Sequence, residues 1–333
     1  MASWIVKKLI DQGHVVHATV RDLEARDRIE HLLLLQKDSP EQLKLFESDL
    51  LKEGSFDTAM EDCEIVIHTA SPYFLSKPKD IQEELVKPAV QGTRNVLNSV
   101  NAHRSVKRVV LTSSVVALFN DAKDLARRPG NIVNEQDVNS NQDITHNPYA
   151  YSKTQAEQAA WSMQEDQNRW DLITIHPGAI FGPSLSKRSD ATSIDMMIQF
   201  LNGSYRAGVP RLWLGVVDVR DVAQAHISAT LNRQASKKYI VMGQTRSLLE
   251  IAGLINVAHL GLTNKLPRIE LPKILVWLVA PFVGLQRRYV ANNVNYPIDF
   301  DNDRSKTDLG LKYYSAGKTL NEHAGQLVAD KMV

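Results

Sequence analysis

The chain has 333 residues, enough for one large domain or two unequal ones, and its 43% of hydrophobic residues can bury a substantial core. Its 39 Lys and Arg against 38 Asp and Glu leave a formal charge of +1, so no global field draws it to nucleic acid or an anionic membrane, and a small-molecule partner is the expectation. The single cysteine, Cys63, cannot form an internal disulfide and stands in no metal-binding or nucleophile pattern, which suits a reducing, cytoplasmic setting without a metal.

Lys7, Lys8 and Asp11 interrupt the first apolar run, so it reads as an amphipathic helix and not as a secretory signal. Gly13 closes it, HVVHATV (14–20) is β-rich, and 24–36 returns to helical spacing. Strands recur as LKLFES (43–48), EIVIHTA (64–70), VKRVVLTSS (106–114) and DLITIHP (171–177), with helical stretches between them, including 80–102 and 148–167. Short, nearly continuous apolar strands separated by helices predict an α/β, doubly wound parallel sheet covered on both faces, with ligands at the carboxyl ends of the strands. The first lobe spans 1–177. After Pro177 the regularity weakens into a smaller lobe over 178–333, while 211–232 (strand LWLGVVDV, helix VRDVAQAHISATL) is expected to return to the first. The apolar stretch 271–285 contains Pro272, Lys273 and Pro281 and is too short for a membrane span, so a packed helix pair is favoured over a membrane-surface contact.

A tyrosine four residues before a lysine puts both on one helix face, where the ammonium favours the phenolate and the phenol can give a proton to a carbonyl oxygen. The spacing occurs three times, at Tyr73/Lys77, Tyr149/Lys153 and Tyr314/Lys318. Pro72 and Pro78 bracket the first pair and Gly317 interrupts the third, so both read as surface pairs. The second follows the helix-start signal Asn147-Pro148 and runs into the helix-forming TQAEQAAW; Tyr151 falls on another face. Upstream, Thr112, Ser113 and Ser114 end a strand where hydroxyls face a ligand crevice.

With these motifs in order, the sequence resembles the extended short-chain dehydrogenase/reductase family, in particular its dihydroflavonol reductase-like and cinnamoyl-CoA reductase-like branch, over nearly the whole chain. ESDLLKEGSFDTAMEDCEIVIHTASP, VKRVVLTSS, YSKTQAEQAAW, HPGAIFGP and VDVRDVAQAHI carry the likeness. The resemblance implies that Ser114 orients a carbonyl, Tyr149 donates the proton and Lys153 also holds a nicotinamide ribose. It makes the first lobe the dinucleotide-binding one and the second mainly the substrate lobe. Arg21 closes the second strand of the family pattern, where an acid would grip a ribose 2′-hydroxyl and an arginine a 2′-phosphate; with Arg28 at a second basic position, NADP is favoured over NAD. Asp49 and Leu50 match adenine contacts, Thr69, Ala70, Ser71 and Thr112 positions along the cofactor, and Pro177 and Ile180 the nicotinamide end; for Leu50, Ala70 and Ile180 core packing is an equal reading.

The family pattern opens with a buried strand and a glycine-rich turn that holds the pyrophosphate, whereas this sequence starts inside the following helix. Both features are therefore expected to be missing, to the cost of stability and cofactor affinity. Three readings stay open: a reductase of an aldehyde or ketone acting as monomer or homodimer, a non-catalytic protein of the same fold, and a sugar-nucleotide epimerase or hydroxysteroid dehydrogenase. Against the epimerase, the Lys187/Arg188 pair reads as a solvated loop and not as a diphosphate cluster.

Overall fold

Helix α1 (Ala2–Asp11) is amphipathic on two sides, and this decides how the molecule is put together. Val6 and Ile10 bury against β1 (Val16–Val20), α2 (Arg26–Asp38) and β2 (Leu43–Glu47). Ile5, with Trp4 and Leu9, packs on Ala223 and Ile227 of a helix more than 200 residues away. The Trp4 indole also donates to the carbonyl of Pro183 at 2.7 Å. The computed structural model describes residues 1–71, 80–141, 143–186, 191–263 and 265–333. The Tyr73/Lys77 and Lys187/Arg188 pairs lie outside the described residues.

The one-turn helix α3 (Asp57–Met60), β3 (Ile65–His68), a π-helical turn over Gln82–Val86, α4 (Lys87–Ala102) and β4 (Arg108–Thr112) continue the α/β alternation. A 3-10 turn at Val115–Ala117, α5 (Ala122–Leu125) and β5 (Ile132–Val133) fill the connection to α6 (Pro148–Glu165) and β6 (Asp171–Pro177). The remainder comprises β7 (Ala179–Phe181), α7 (Thr192–Asn202), β8 (Val209–Pro210), β9 (Trp213–Asp218), α8 (Val219–Leu231), β10 (Lys238–Val241), β11 (Gln244–Ser247) and α9 (Leu248–Leu254). It closes with β12 (Glu270–Leu271), α10 (Lys273–Val279), α11 (Arg287–Asn293), β13 (Asp299–Phe300), α12 (Asp303–Leu309) and α13 (Ala316–Ala329).

The expected parallel α/β architecture is present, divided into pieces. β1 and β2 ladder only with each other, and a four-stranded parallel sheet runs in the order β10-β6-β4-β3. β1 and β3 are both edge strands, and α1 bridges the two sheets. α4 and α6 pack together on one face of the larger sheet and α8 covers β4 and β6 on the other, so Val109, Val110, Leu172, Ile173 and Ile175 are all buried. That two-sided burial is why these strands read as unbroken apolar runs. Within 211–232, α8 joins this sheet whereas β9 pairs with β7 and β11 in a separate three-stranded sheet. β10 reaches the larger sheet from beyond that segment, pairing Lys238 to Val241 with Thr174 to Pro177.

Around β9, helices α7, α9 and α13 build a second core on Phe200, Met197, Ile251 and Leu320. Gly317 does not break α13, because Ser315 caps its start by accepting the Lys318 N–H; Lys318 is helical and its ammonium stands 4.7 Å from the Tyr314 ring centroid. Residues 271–285 form half of a helix pair, α10 against α11, around Val276, Ala280, Val290 and Val294. Among the described residues no helix is long and apolar enough to cross a membrane.

Candidate active site

Local chemistry sets the start of α6. The Asn147 side chain accepts the Ala150 N–H at 3.2 Å and Pro148 occupies the first turn, where its missing N–H costs nothing. Tyr149 and Lys153 then share a face one turn apart, with the Lys153 Nζ 5.9 Å from the Tyr149 ring centroid. The Val115–Ala117 turn, which Ser114 caps, packs against α6. His68, at the carboxyl end of β3, is buried close enough for the charge of Lys153 to act on it; burial first, and that charge second, push its imidazole down to about 4.

Lys153 is buried, and among the described residues its ammonium donates no hydrogen bond. Burial pushes its pKa down to about 8, against the opposing pull of Glu157. An exposed lysine holds its proton to 10.5, so between these values the unfolded chain binds more protons and folding stability rises with pH. Urea midpoints measured at pH 8 and pH 10 are expected to show this rise in the native protein and to lack that component in Lys153→Met. Equal slopes in the two would place the ammonium in water.

The three hydroxyls ending β4 go different ways, as alternation along a strand requires. The Nδ1–H of His226 donates to the Val222 carbonyl, and burial holds this imidazole neutral, so its Nε2 accepts the Thr112 hydroxyl at 2.7 Å. Thr112 is thereby turned toward α8 and does not join the other candidates. The Ser113 hydroxyl donates to Glu157 on α6. The Ser114 Oγ accepts a long 3.5 Å contact from the Val116 N–H, and among the described residues its hydroxyl donates no hydrogen bond.

Glu157 is the group that sequence reasoning missed. Its buried carboxylate accepts from His176 Nε2 at 2.7 Å, Lys238 Nζ at 3.1 Å and Trp161 Nε1 at 3.3 Å, besides Ser113. Burial alone would push the acid up; His176, Lys238 and Ser113 more than offset this and hold it well below the usual carboxylate range. The cluster ties α6 to the ends of β4, β6 and β10. One signal was available: Glu157 lies one turn beyond Lys153 on the face that carries Tyr149. A second buried cluster holds the approach to α6. Asp121 accepts from His146 Nε2 at 2.7 Å, Asn292 at 2.8 Å and Asn293 at 2.6 Å, linking the loop after Ser114, the residue before the Asn147 cap and α11.

The remaining candidates follow the carboxyl ends of their strands. Arg21, directly after β1, and Arg28, in the first turn of α2, are exposed and form no ion pair among the described residues. Asp22, adjacent to Arg21, is engaged by the Glu24 N–H at 2.8 Å. Asp49 accepts the Leu51 N–H at 2.9 Å, and Leu50 packs on the core around Val96 and Leu97 so closely that a Cβ at Gly92 would stand 3.2 Å from it. Thr69, Ala70 and Ser71 follow β3, with Ala70 exposed. Pro177 is buried at the end of β6, and Ile180 pairs with Val217 in the neighbouring sheet. Gly178 between them allows the crossing, since a Cβ there would lie 2.4 Å from the Gly215 carbonyl oxygen.

Residues 1–246 match the profile of the 3-beta hydroxysteroid dehydrogenase/isomerase family. The chain belongs to this family. It is 36% identical to cinnamoyl-CoA reductase CAD2 of Medicago truncatula over 82% of this chain and 80% of that protein. It is 33% identical to tetraketide alpha-pyrone reductase 1 of Arabidopsis thaliana over 98% and 92%. Among solved structures, yeast methylglyoxal/isovaleraldehyde reductase Gre2 complexed with NADPH superposes with a TM-score of 0.81 at 27% identity, covering 99% of this chain and 96% of that one. These likenesses agree with the short-chain dehydrogenase/reductase resemblance of the motifs and with the doubly wound fold.

Proposed function

We propose that the chain reduces an aldehyde or ketone to an alcohol with NADPH, using Tyr149, Lys153 and Ser114. The observation that supports this reading is Lys153, a buried residue whose ammonium has no hydrogen-bond acceptor among the described residues, one turn from the Tyr149 phenol on the same helix face. A ribose hydroxyl would supply such an acceptor. The reductases among the relatives, and the NADPH in the yeast Gre2 structure, support the same choice.

NADPH, when bound, supplies hydride to a carbonyl carbon. The chain's part is to manage the oxygen: Ser114 donates a hydrogen bond to it, Tyr149 gives up its phenolic proton, and the charge on Lys153 lowers the cost of the phenolate left behind. Lys153 also holds the ribose, while Arg21 and Arg28 face a 2′-phosphate. Asp49, Thr69, Ala70, Ser71, Pro177 and Ile180 border the cofactor. NADPH consumption over a panel of aldehydes and ketones tests the reading; no oxidation with any carbonyl, despite NADPH quenching of tryptophan fluorescence, would refute it.

Arg21→Glu is expected to move the ratio of kcat/KM for NADPH over NADH toward NADH by about tenfold or more, since it replaces a charge-assisted contact with repulsion. An unchanged ratio would place recognition of the 2′-phosphate elsewhere.

A further inference from the structure

The buried cluster around Asp121 ties together three segments that are remote in sequence. One carboxylate oxygen serves His146 and Asn292, and the other serves Asn293. Asn293 returns the bond: its own side-chain oxygen accepts the Ala122 N–H at 3.0 Å, at the start of α5. Asp121, His146 and Asn293 are all buried, and three directional bonds on one carboxylate hold their segments in a single arrangement.

Two of these segments adjoin the groups proposed to react. The connection from Ser114 to Asp121 is pinned along its length. Asn139 donates from its side chain to the Val116 carbonyl and from its backbone to the Ala117 carbonyl, both at 2.9 Å, and Val115, Leu118 and Ala122 share one buried core. His146 directly precedes the Asn147 cap. Asn147 accepts the Ala150 N–H with its side chain and the Tyr151 N–H with its carbonyl, so a shift of His146 passes into the turn that carries Tyr149. The third segment is α11, which meets Asp121 through Asn293, 172 residues downstream. The start of α11 holds the same approach to α6, through Gln286 on the Thr145 carbonyl and Arg288 on Asp143.

We propose that Asp121 is a positioning residue, which sets the start of α6 against the Ser114 loop and makes that setting depend on α11. The inference rests on the reductase reading, in which Ser114 and Tyr149 must reach one carbonyl oxygen. A misplacement of about 1 Å between such groups can cost about 10²-fold in rate. Nothing else orients the imidazole: among the described residues His146 Nδ1 has no hydrogen-bond partner, so the bond from Nε2 to Asp121 is the ring's one polar tie.

The test compares the full chain with Asp121→Asn, His146→Ala, His146→Gln and Asn293→Ala. Turnover of an aldehyde that the parent reduces is measured beside NADPH quenching of tryptophan fluorescence and hydrogen exchange in peptides covering 115–121 and 143–151. Asp121→Asn presents an amide where three donors arrive, and is expected to lower kcat about tenfold or more with KM and quenching retained, and to speed exchange in both peptides. His146→Gln keeps a donor and should recover most of the kcat lost in His146→Ala. Combining His146→Ala with Asn293→Ala should cost less than the product of the single losses, as for residues that act through one carboxylate. Unchanged kcat per folded molecule in Asp121→Asn overturns the proposal, as do losses in His146→Ala and Asn293→Ala that multiply; if Asp121→Asn does not fold, the second criterion decides. Absence of turnover in the parent refutes the reductase reading instead. The coupling then stands or falls on exchange in 143–151, which Asn293→Ala accelerates if Asp121 links the segments and leaves unchanged if it does not.

Discussion

Tyr149→Phe is expected to lower kcat by about 10²–10⁴-fold while leaving NADPH affinity nearly unchanged, because it removes one transferable proton and little surface. Turnover over a reactive aldehyde measures the first quantity, and quenching of the five tryptophans by NADPH measures the second. Tyr151, two residues on and facing elsewhere, supplies the control: Tyr151→Phe should retain turnover. Loss of activity in both, or in neither, would detach the chemistry from the phenol beside Lys153.

Glu157→Ala should destabilise the fold by about 3–5 kcal/mol, the cost of removing one partner from a buried charged cluster. His176 and Lys238 would lose their acceptor, and His176 already has an Nδ1 without a hydrogen-bond partner among the described residues. Urea denaturation reads the loss. Glu157→Gln keeps the shape and one acceptor oxygen and should recover part of it. A merely structural role would leave KM and kcat per folded molecule unchanged in Glu157→Gln. A positioning role lowers kcat with KM retained, because Ser113 bonds Glu157 and Ser114 is its neighbour. A loss of stability below about 1 kcal/mol in Glu157→Ala would show the cluster to be solvated.

What could be read in the sequence was what is local. Asn147, Pro148 and the Tyr149/Lys153 spacing lie within seven residues, and the structure builds the helix start they signal. The strands at 108–112 and 171–177 were legible because burial on both faces leaves an apolar run whatever the tertiary order, and 43–47 by its alternation of buried and exposed residues. The Glu157 cluster was not, since its partners at 113, 176 and 238 come together only when β4, β6 and β10 are laid side by side. Thr112 shows the same limit: its place at a strand end was plain, but its turn toward His226 depends on α8, more than 100 residues later. For 271–285, composition suggested a packed pair and the packing is there; that the opposite face stays uncovered has no local signature.

The bridging position of α1 has a thermodynamic consequence. β1 and β2 share five residue pairs with each other and none with the larger sheet, so α1, together with α3, whose Ala59 carbonyl is bonded by His17, carries much of their attachment. Such a unit can detach as one cooperative piece at a free energy below that of global unfolding. Since Arg21 rides on it and Lys153 does not, fluctuation of this piece would loosen the 2′-phosphate contact proposed for Arg21 while the phenol and ammonium on α6 stay in register.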